Sequence, residues 1–253
     1  RFTMFFIKKI AVFFCFLAFI ALPAKANVIE WNFNVDSGFT SSAGGSAITG
    51  TNTNTYWNAP STISWGTGGT SSFDVGGATN GNFNDNLMTN GAAVNTVTLT
   101  HNNQPINAGT GLTSAVLSDR IFLTPVNPAG PGFSPPDLIF SIMFLETSNQ
   151  APCLVTSPVV CNDIFVLDVA GAGFNPANNT FNQNFTYDTV GYNARIFIDG
   201  LGLLSDAACT AAGAANGCAG FTTVENLSNT FQVKLDITTE QFVPVPEPAT
   251  IFI

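Results

Sequence analysis

Along most of this chain, apolar residues recur at every second position in short runs separated by Gly, Asn, Pro and Ser. Ile29-Glu-Trp-Asn-Phe33 alternates in this way, as do Ser72-Phe-Asp-Val75 and Val94 to Leu99. Alternation by two puts successive side chains on opposite faces of a strand. The same reasoning predicts strands over Ala115 to Leu123, Asp137 to Leu145, Asp163 to Val169, Asn184 to Tyr187, Tyr192 to Ile198 and Phe231 to Ile237. Tyr56-Trp57 and Ile63-Ser-Trp-Gly66 bracket a turn at Pro60. Thr40 to Asn54 has no apolar period and reads as a loop. Thr124 to Pro136 carries five prolines and reads as a rigid surface loop, because proline cannot donate to a central ladder. Only Leu201 to Ala215 allows a helical turn. The expected fold is all-β, a single β-sandwich over residues 27–239 with jelly-roll or related Greek-key connections.

Composition supports that class. Phe, Val, Thr, Asn, Ser and Gly are abundant while Lys, Arg and Glu are scarce, so strands have the residues they favour and long helices lack their usual surface. The 24 phenylalanines supply ample core volume. The cations cluster at the N-terminus: Arg1, Lys8, Lys9 and Lys25 precede residue 27, and beyond it Arg120, Arg195 and Lys234 stand against 16 carboxylates, a net charge of −13. A surface so poor in cations disfavours nucleic acid, whose phosphates call for several Lys or Arg on one face, and disfavours docking on anionic lipid.

Cys15 falls in the N-terminal apolar run, and the other four cysteines form two close couples, Cys153 with Cys161 and Cys209 with Cys218. Four cysteines allow three connectivities, but each couple closes a short loop by itself, and two local disulfides are expected. Zinc is disfavoured by the absence of Cys-x-x-Cys spacing and by a single histidine in the chain.

The two ends speak of destination. Met4-Phe-Phe-Ile-Lys-Lys9 opens a basic segment, Ile10 to Leu22 is apolar, and Ala24-Lys-Ala26 offers small residues for cleavage. This is the pattern of a secretory signal peptide, residues 1–26, with translation expected to start at Met4 and the mature chain at Asn27. The apolar run is shorter than the roughly 20 residues of a spanning helix. At the other end, in residues 240–253, a linker leads into Val245-Pro246-Glu247-Pro248-Ala249-Thr250, which resembles the core of a bacterial PEP-CTERM sorting signal. The resemblance implies that a hydrophobic helix and an Arg-rich tail follow Ile253, that the helix contacts the membrane transiently, and that a membrane enzyme of the exosortase type processes the signal. Signal peptidase and the secretion machinery are the other implied partners.

Thr100-His101-Asn102-Asn103, followed by Pro105-Ile106, resembles the signature of the THxN family of PEP-CTERM proteins, and with Trp57 and Trp65 upstream the likeness spans about residues 28–248. It implies an exported β-sandwich at the cell surface or in the extracellular matrix of a Gram-negative-type bacterium. It assigns no activity. Taken as residues, Val97, Leu99 and His101 share one strand face, so the imidazole is expected to point inward at the end of a sheet and tie a loop to a strand. Asn102-Asn103 suits a turn, and Pro105 fixes its exit.

Catalysis is poorly supported. A Ser-His-Asp arrangement would have to use His101, no Gly-x-Ser-x-Gly elbow is present, and no spacing singles out a carboxylate pair. Two binding readings are weighed against plain structural roles. Asn80-Gly-Asn-Phe-Asn-Asp-Asn86 is rich in oxygen ligands for Ca²⁺, but a turn-rich loop accounts for it better. Tyr56, Trp57 and Trp65 would present rings to a sugar, although large aromatics in strands more often fill a core. The reading adopted is a non-enzymatic exported protein of the cell surface or exopolysaccharide matrix, without a required cofactor. The rival is a carbohydrate-binding module or polysaccharide-acting enzyme at the same location, with exopolysaccharide as partner.

Overall fold

In the computed structural model, the residues described are 26–51, 59–77, 81–157, 161–167 and 173–243, with the side chains of 81–86 excepted. In chain order the elements are β1 (Glu30–Gly44), β2 (Thr62–Trp65), β3 (Ser71–Gly76), β4 (Gly81–Met88), β5 (Val94–Asn102), β6 (Leu112–Asn127), β7 (Leu138–Leu145) and β8 (Asp163–Leu167). They continue with β9 (Phe174–Asn175), β10 (Thr180–Tyr187), β11 (Val190–Ile198), β12 (Gly202–Leu203), a short helix α1 (Asp206–Ala211), β13 (Ala219–Thr223) and β14 (Ser228–Thr238). Two antiparallel sheets pack face to face. The first runs β12-β13-β8-β7-β6-β1-β4 and the second β2-β3-β5-β14-β11-β10-β9. The all-β sandwich expected from alternation is the fold.

Alternation decides what lies between the sheets. Leu138, Phe140, Ile142 and Phe144 of β7 are buried, as are Val97, Leu99 and His101 of β5 and Trp31, Phe33 and Val35 of β1. These side chains meet in one continuous core with Trp65, Phe73, Phe165, Phe181 and Tyr192. β8 is buried along its whole length. Phe165 and Leu167 face the main core, while Ile164 and Val166 face outward into a second cluster with Ala208, Cys209 and Cys218. Both local disulfides, Cys153–Cys161 and Cys209–Cys218, are formed. The second staples α1 over the outer face of β8, so this excursion is a lid on the sheet. Ser205 caps the helix by accepting a hydrogen bond from the Ala208 N–H.

Three expectations need correction. β1 continues to Gly44, through residues read as loop, because Ser41, Ser42 and Ala43 pair backbone to backbone with Val116, Ala115 and Ser114 of β6. β6 runs on to Asn127 instead of ending before Thr124; Pro125 lies opposite Trp31 where the register shifts, and at such an irregularity a proline costs no ladder bond. Residues 81–86, read as a turn-rich loop, belong to β4, which pairs with β1 through Phe33↔Phe83 and Trp31↔Leu87.

All three cations beyond residue 27 are matched by carboxylates. Arg120 pairs with Asp137, Arg195 forks onto Asp236, and Lys234 meets Asp199. No helix of the described residues is long and apolar enough to cross a membrane.

Candidate functional site

The Thr-His-Asn-Asn segment closes β5, and its four side chains alternate between two jobs. Thr100 and Asn102 stand on the outer face. The Thr100 hydroxyl lies 2.9 Å from that of Thr230, its cross-strand partner on β14. Asn102 donates through Nδ2 to Ser72 Oγ (3.0 Å) and Asp74 Oδ2 (2.5 Å) on β3 and accepts at Oδ1 from Ser228 Oγ (2.6 Å) on β14. It thereby laces three neighbouring strands. Asn102 is the last strand residue, and the first turn after it comes at residues 108–109 instead of the expected Asn102-Asn103.

His101 and Asn103 face inward and are fully buried. The imidazole stacks on Trp65 at 5.5 Å between ring centroids and packs against Phe73 and Phe144. His101 Nδ1 lies 2.9 Å from Thr223 Oγ1, and Asn103 donates from Nδ2 to the Thr223 carbonyl at 3.3 Å. Thr223 ends β13 in the opposite sheet. The inner half of the motif therefore ties one sheet to the other across the core. Burial drives the His101 pKa down to about 3. A base that weak stays neutral at ordinary pH and is poorly suited to accept a proton in catalysis.

Beside this tie lies a group of carboxylates that sequence reasoning did not single out. Glu146 follows β7 on the same face as Phe144; Asp163 opens β8 on the face of Phe165; Glu225 extends the inward series Phe221 and Thr223 past the end of β13. Strand alternation aims all three at one place, and oxygen atoms of the three lie within 4.8 Å of one another. Asp163 is fully buried and Glu225 nearly so. Asp163 Oδ1 accepts from the Thr147 N–H at 2.8 Å, and the Trp65 indole N–H points at Glu146 Oε2 from 3.5 Å.

Like charges held out of water favour the protonated form. Burial raises the Glu146 carboxyl to about 8, with Asp163 and Glu225 pushing in the same direction and the Trp65 N–H opposing. Burial likewise raises Asp163 to about 7, against the Thr147 and Asn103 hydrogen bonds and with added repulsion from Glu225. Glu225 is raised by burial. Asp163 Oδ2, both oxygens of Glu225 and Oδ1 of Asn103 are buried without hydrogen-bond partners. Each such group costs about 1–3 kcal/mol when left unpaired. Oxygen donors arranged in this way are the set that a hard cation takes.

The other residues marked out by sequence fall elsewhere. Trp65 is wholly buried and offers no ring to solvent, so it serves the core and not a sugar platform. Tyr56, Trp57, Asn80 and the sorting motif Val245-Pro246-Glu247-Pro248-Ala249-Thr250 lie outside the described residues. Two surface depressions of about 350 and 380 Å³ are lined in part by Asn182, Arg195 and Gln241 and by Pro128, Tyr187 and Tyr192; neither is lined by a carboxylate of the cluster. No family model and no curated protein matches the chain.

Proposed function

We propose that this is a non-enzymatic bacterial protein of the cell surface or exopolysaccharide matrix, exported by its signal peptide and handed to an exosortase-type system. The observation that carries the reading is the pair of local disulfides in an all-β sandwich. Disulfides persist in oxidising compartments outside the cytoplasm, which agrees with a leader over residues 1–26 and a sorting core at Pro246-Glu247-Pro248. The non-enzymatic part is supported by the chemistry of the folded region. Its one histidine is buried and neutral, and its cluster of carboxylates lies at the end of the core, away from both depressions.

The test is made in the producing bacterium with the full-length gene. The wild-type protein and a Pro246→Ala, Glu247→Ala, Pro248→Ala variant are compared by fractionation and mass, with and without the exosortase-type enzyme. Wild-type protein is expected in the surface or matrix fraction at reduced mass, and the variant is expected to accumulate unprocessed with the membranes. Identical processing and location of the two would contradict the assignment. Saturable glycan binding lost in Trp57→Ala would favour the carbohydrate-binding rival.

A further inference from the structure

We propose that Glu146, Asp163 and Glu225 form a buried calcium site that locks three strand ends together at one end of the sandwich. Three carboxylates converge within 4.8 Å, which alone would be only an acidic cluster. The second observation is that the converging carboxylates are buried and unpartnered: Asp163 is fully buried and Glu225 nearly so, and Asp163 Oδ2 and both Glu225 oxygens accept no hydrogen bond. Carboxylate oxygens desolvated in this way lack a positive charge to face, because Arg120, Arg195 and Lys234 are all engaged elsewhere, and a bound cation supplies it.

Donor chemistry selects the ion. The converging groups are carboxylates, with no thiolate or imidazole among them, and the four cysteines of the folded region are bonded in pairs. All-oxygen sites suit Ca²⁺, Mg²⁺ or Mn²⁺ over zinc and copper. Glu146, Asp163 and Glu225 come from three different strand ends, and side chains so placed fit the irregular, high-coordination shell of Ca²⁺ better than the strict octahedron of Mg²⁺. The three carboxylates hang from the ends of β7, β8 and β13 in the first sheet, and Asn103 reaches Asp163 from the second sheet with its N–H side. The Thr-His-Asn-Asn segment thus gains a second meaning: His101 makes the dry tie between sheets, and Asn103 holds in place a carboxylate that binds the cation. This inference does not depend on the sorting assignment, and its failure would leave that assignment standing.

The test uses the exported, disulfide-bonded protein, stripped with EDTA and then titrated with Ca²⁺, Mg²⁺ or Tb³⁺. Ca²⁺ at about 100 times its Kd is expected to raise Tm by about 5–10 °C. Tb³⁺ is expected to show saturable emission on tryptophan excitation, displaced by Ca²⁺, because the Trp65 indole sits against Glu146. Asp163→Asn keeps the shape and the oxygen that accepts from Thr147 while removing one of three crowded charges. This variant is expected to melt no lower than the wild type in EDTA and to lose the Ca²⁺ response. Trp65→Phe is expected to lose the sensitised emission and keep the Ca²⁺ shift. The site is overturned if Ca²⁺ leaves Tm unchanged, or if the shift survives in an Asp163→Asn, Glu225→Gln double variant. Equal shifts from Mg²⁺ and Ca²⁺ would overturn the choice of ion.

Discussion

Replacing Trp31 with Ala is expected to cost about 3–5 kcal/mol, the range for deleting a buried tryptophan or phenylalanine, and to lower Tm on the order of 10 °C. Trp31 is wholly buried and is the hinge of contact between β1 and the far end of the second sheet. Its indole meets Phe185, Tyr187 and Tyr192 edge to face at 5.3–6.2 Å and lies 6.2 Å from Phe133. Its N–H donates to Thr89 Oγ1 at 2.9 Å; that hydroxyl donates to the Val28 carbonyl, and the Val28 N–H donates to the Tyr192 hydroxyl. The substitution therefore opens a cavity and breaks a polar relay at one stroke. Trp31→Phe keeps much of the aromatic packing and loses only the N–H, so its cost is expected to be well under half as large. Thermal melts of the two variants decide the matter: a loss for Trp31→Ala of less than about 1 kcal/mol would mean that the site collapses around the missing ring.

Removing the Cys209–Cys218 bridge by the double change to Ala is expected to cost about 2–3 kcal/mol in the chain-entropy picture. The effect should also be local. α1 has six residues, too few to hold a helix unaided, and it rests on Ile164 and Val166 through Ala208 and the half-cystines. Without the staple, amide exchange is expected to speed up through residues 204–219 before the central strands β6 and β7 respond. Hydrogen exchange followed by peptide mass checks this. Uniform acceleration across the sandwich, or none in the lid, would show that the loop is held by something other than its disulfide.

The strands that line the core were legible from their apolar residues: β5 alternates Val97 and Leu99 with Thr96, Thr98 and Thr100, and β7 is a nearly unbroken apolar run because Met143 and Leu145 on its outer face pack into the second cluster. β4 and β13 were not. Gly81 to Asn86 reads as a turn from its Asn and Gly content, yet pairing with β1 holds it extended. Ala219-Gly220 carries little apolar signal, and β13 forms because Phe221 and its neighbours pair with β8. Those ladders are long-range bonds that local composition does not encode. The candidate site divides in the same way. Alternation placed His101 on the face of Val97 and Leu99, and all three are buried. Glu146, Asp163 and Glu225 converge only through the registers Leu145↔Ile164 and Thr223↔Asp163, which bring three distant stretches of chain to one end of the sandwich. A local signal was nonetheless present: a carboxylate one step beyond an inward apolar series, as in Phe140-Ser-Ile-Met-Phe-Leu-Glu146, is a charge aimed at a core and calls for a partner.

The measurement that bears most directly on the account is where the native protein resides and in what covalent state. Antibody staining of intact cells and of the surrounding matrix is combined with mass analysis of the recovered chain. The account predicts staining without lysis, Asn27 as the first residue, and the Cys153–Cys161 and Cys209–Cys218 bridges both closed. A protein found only after lysis, with residues 1–26 attached and its thiols free, would contradict it.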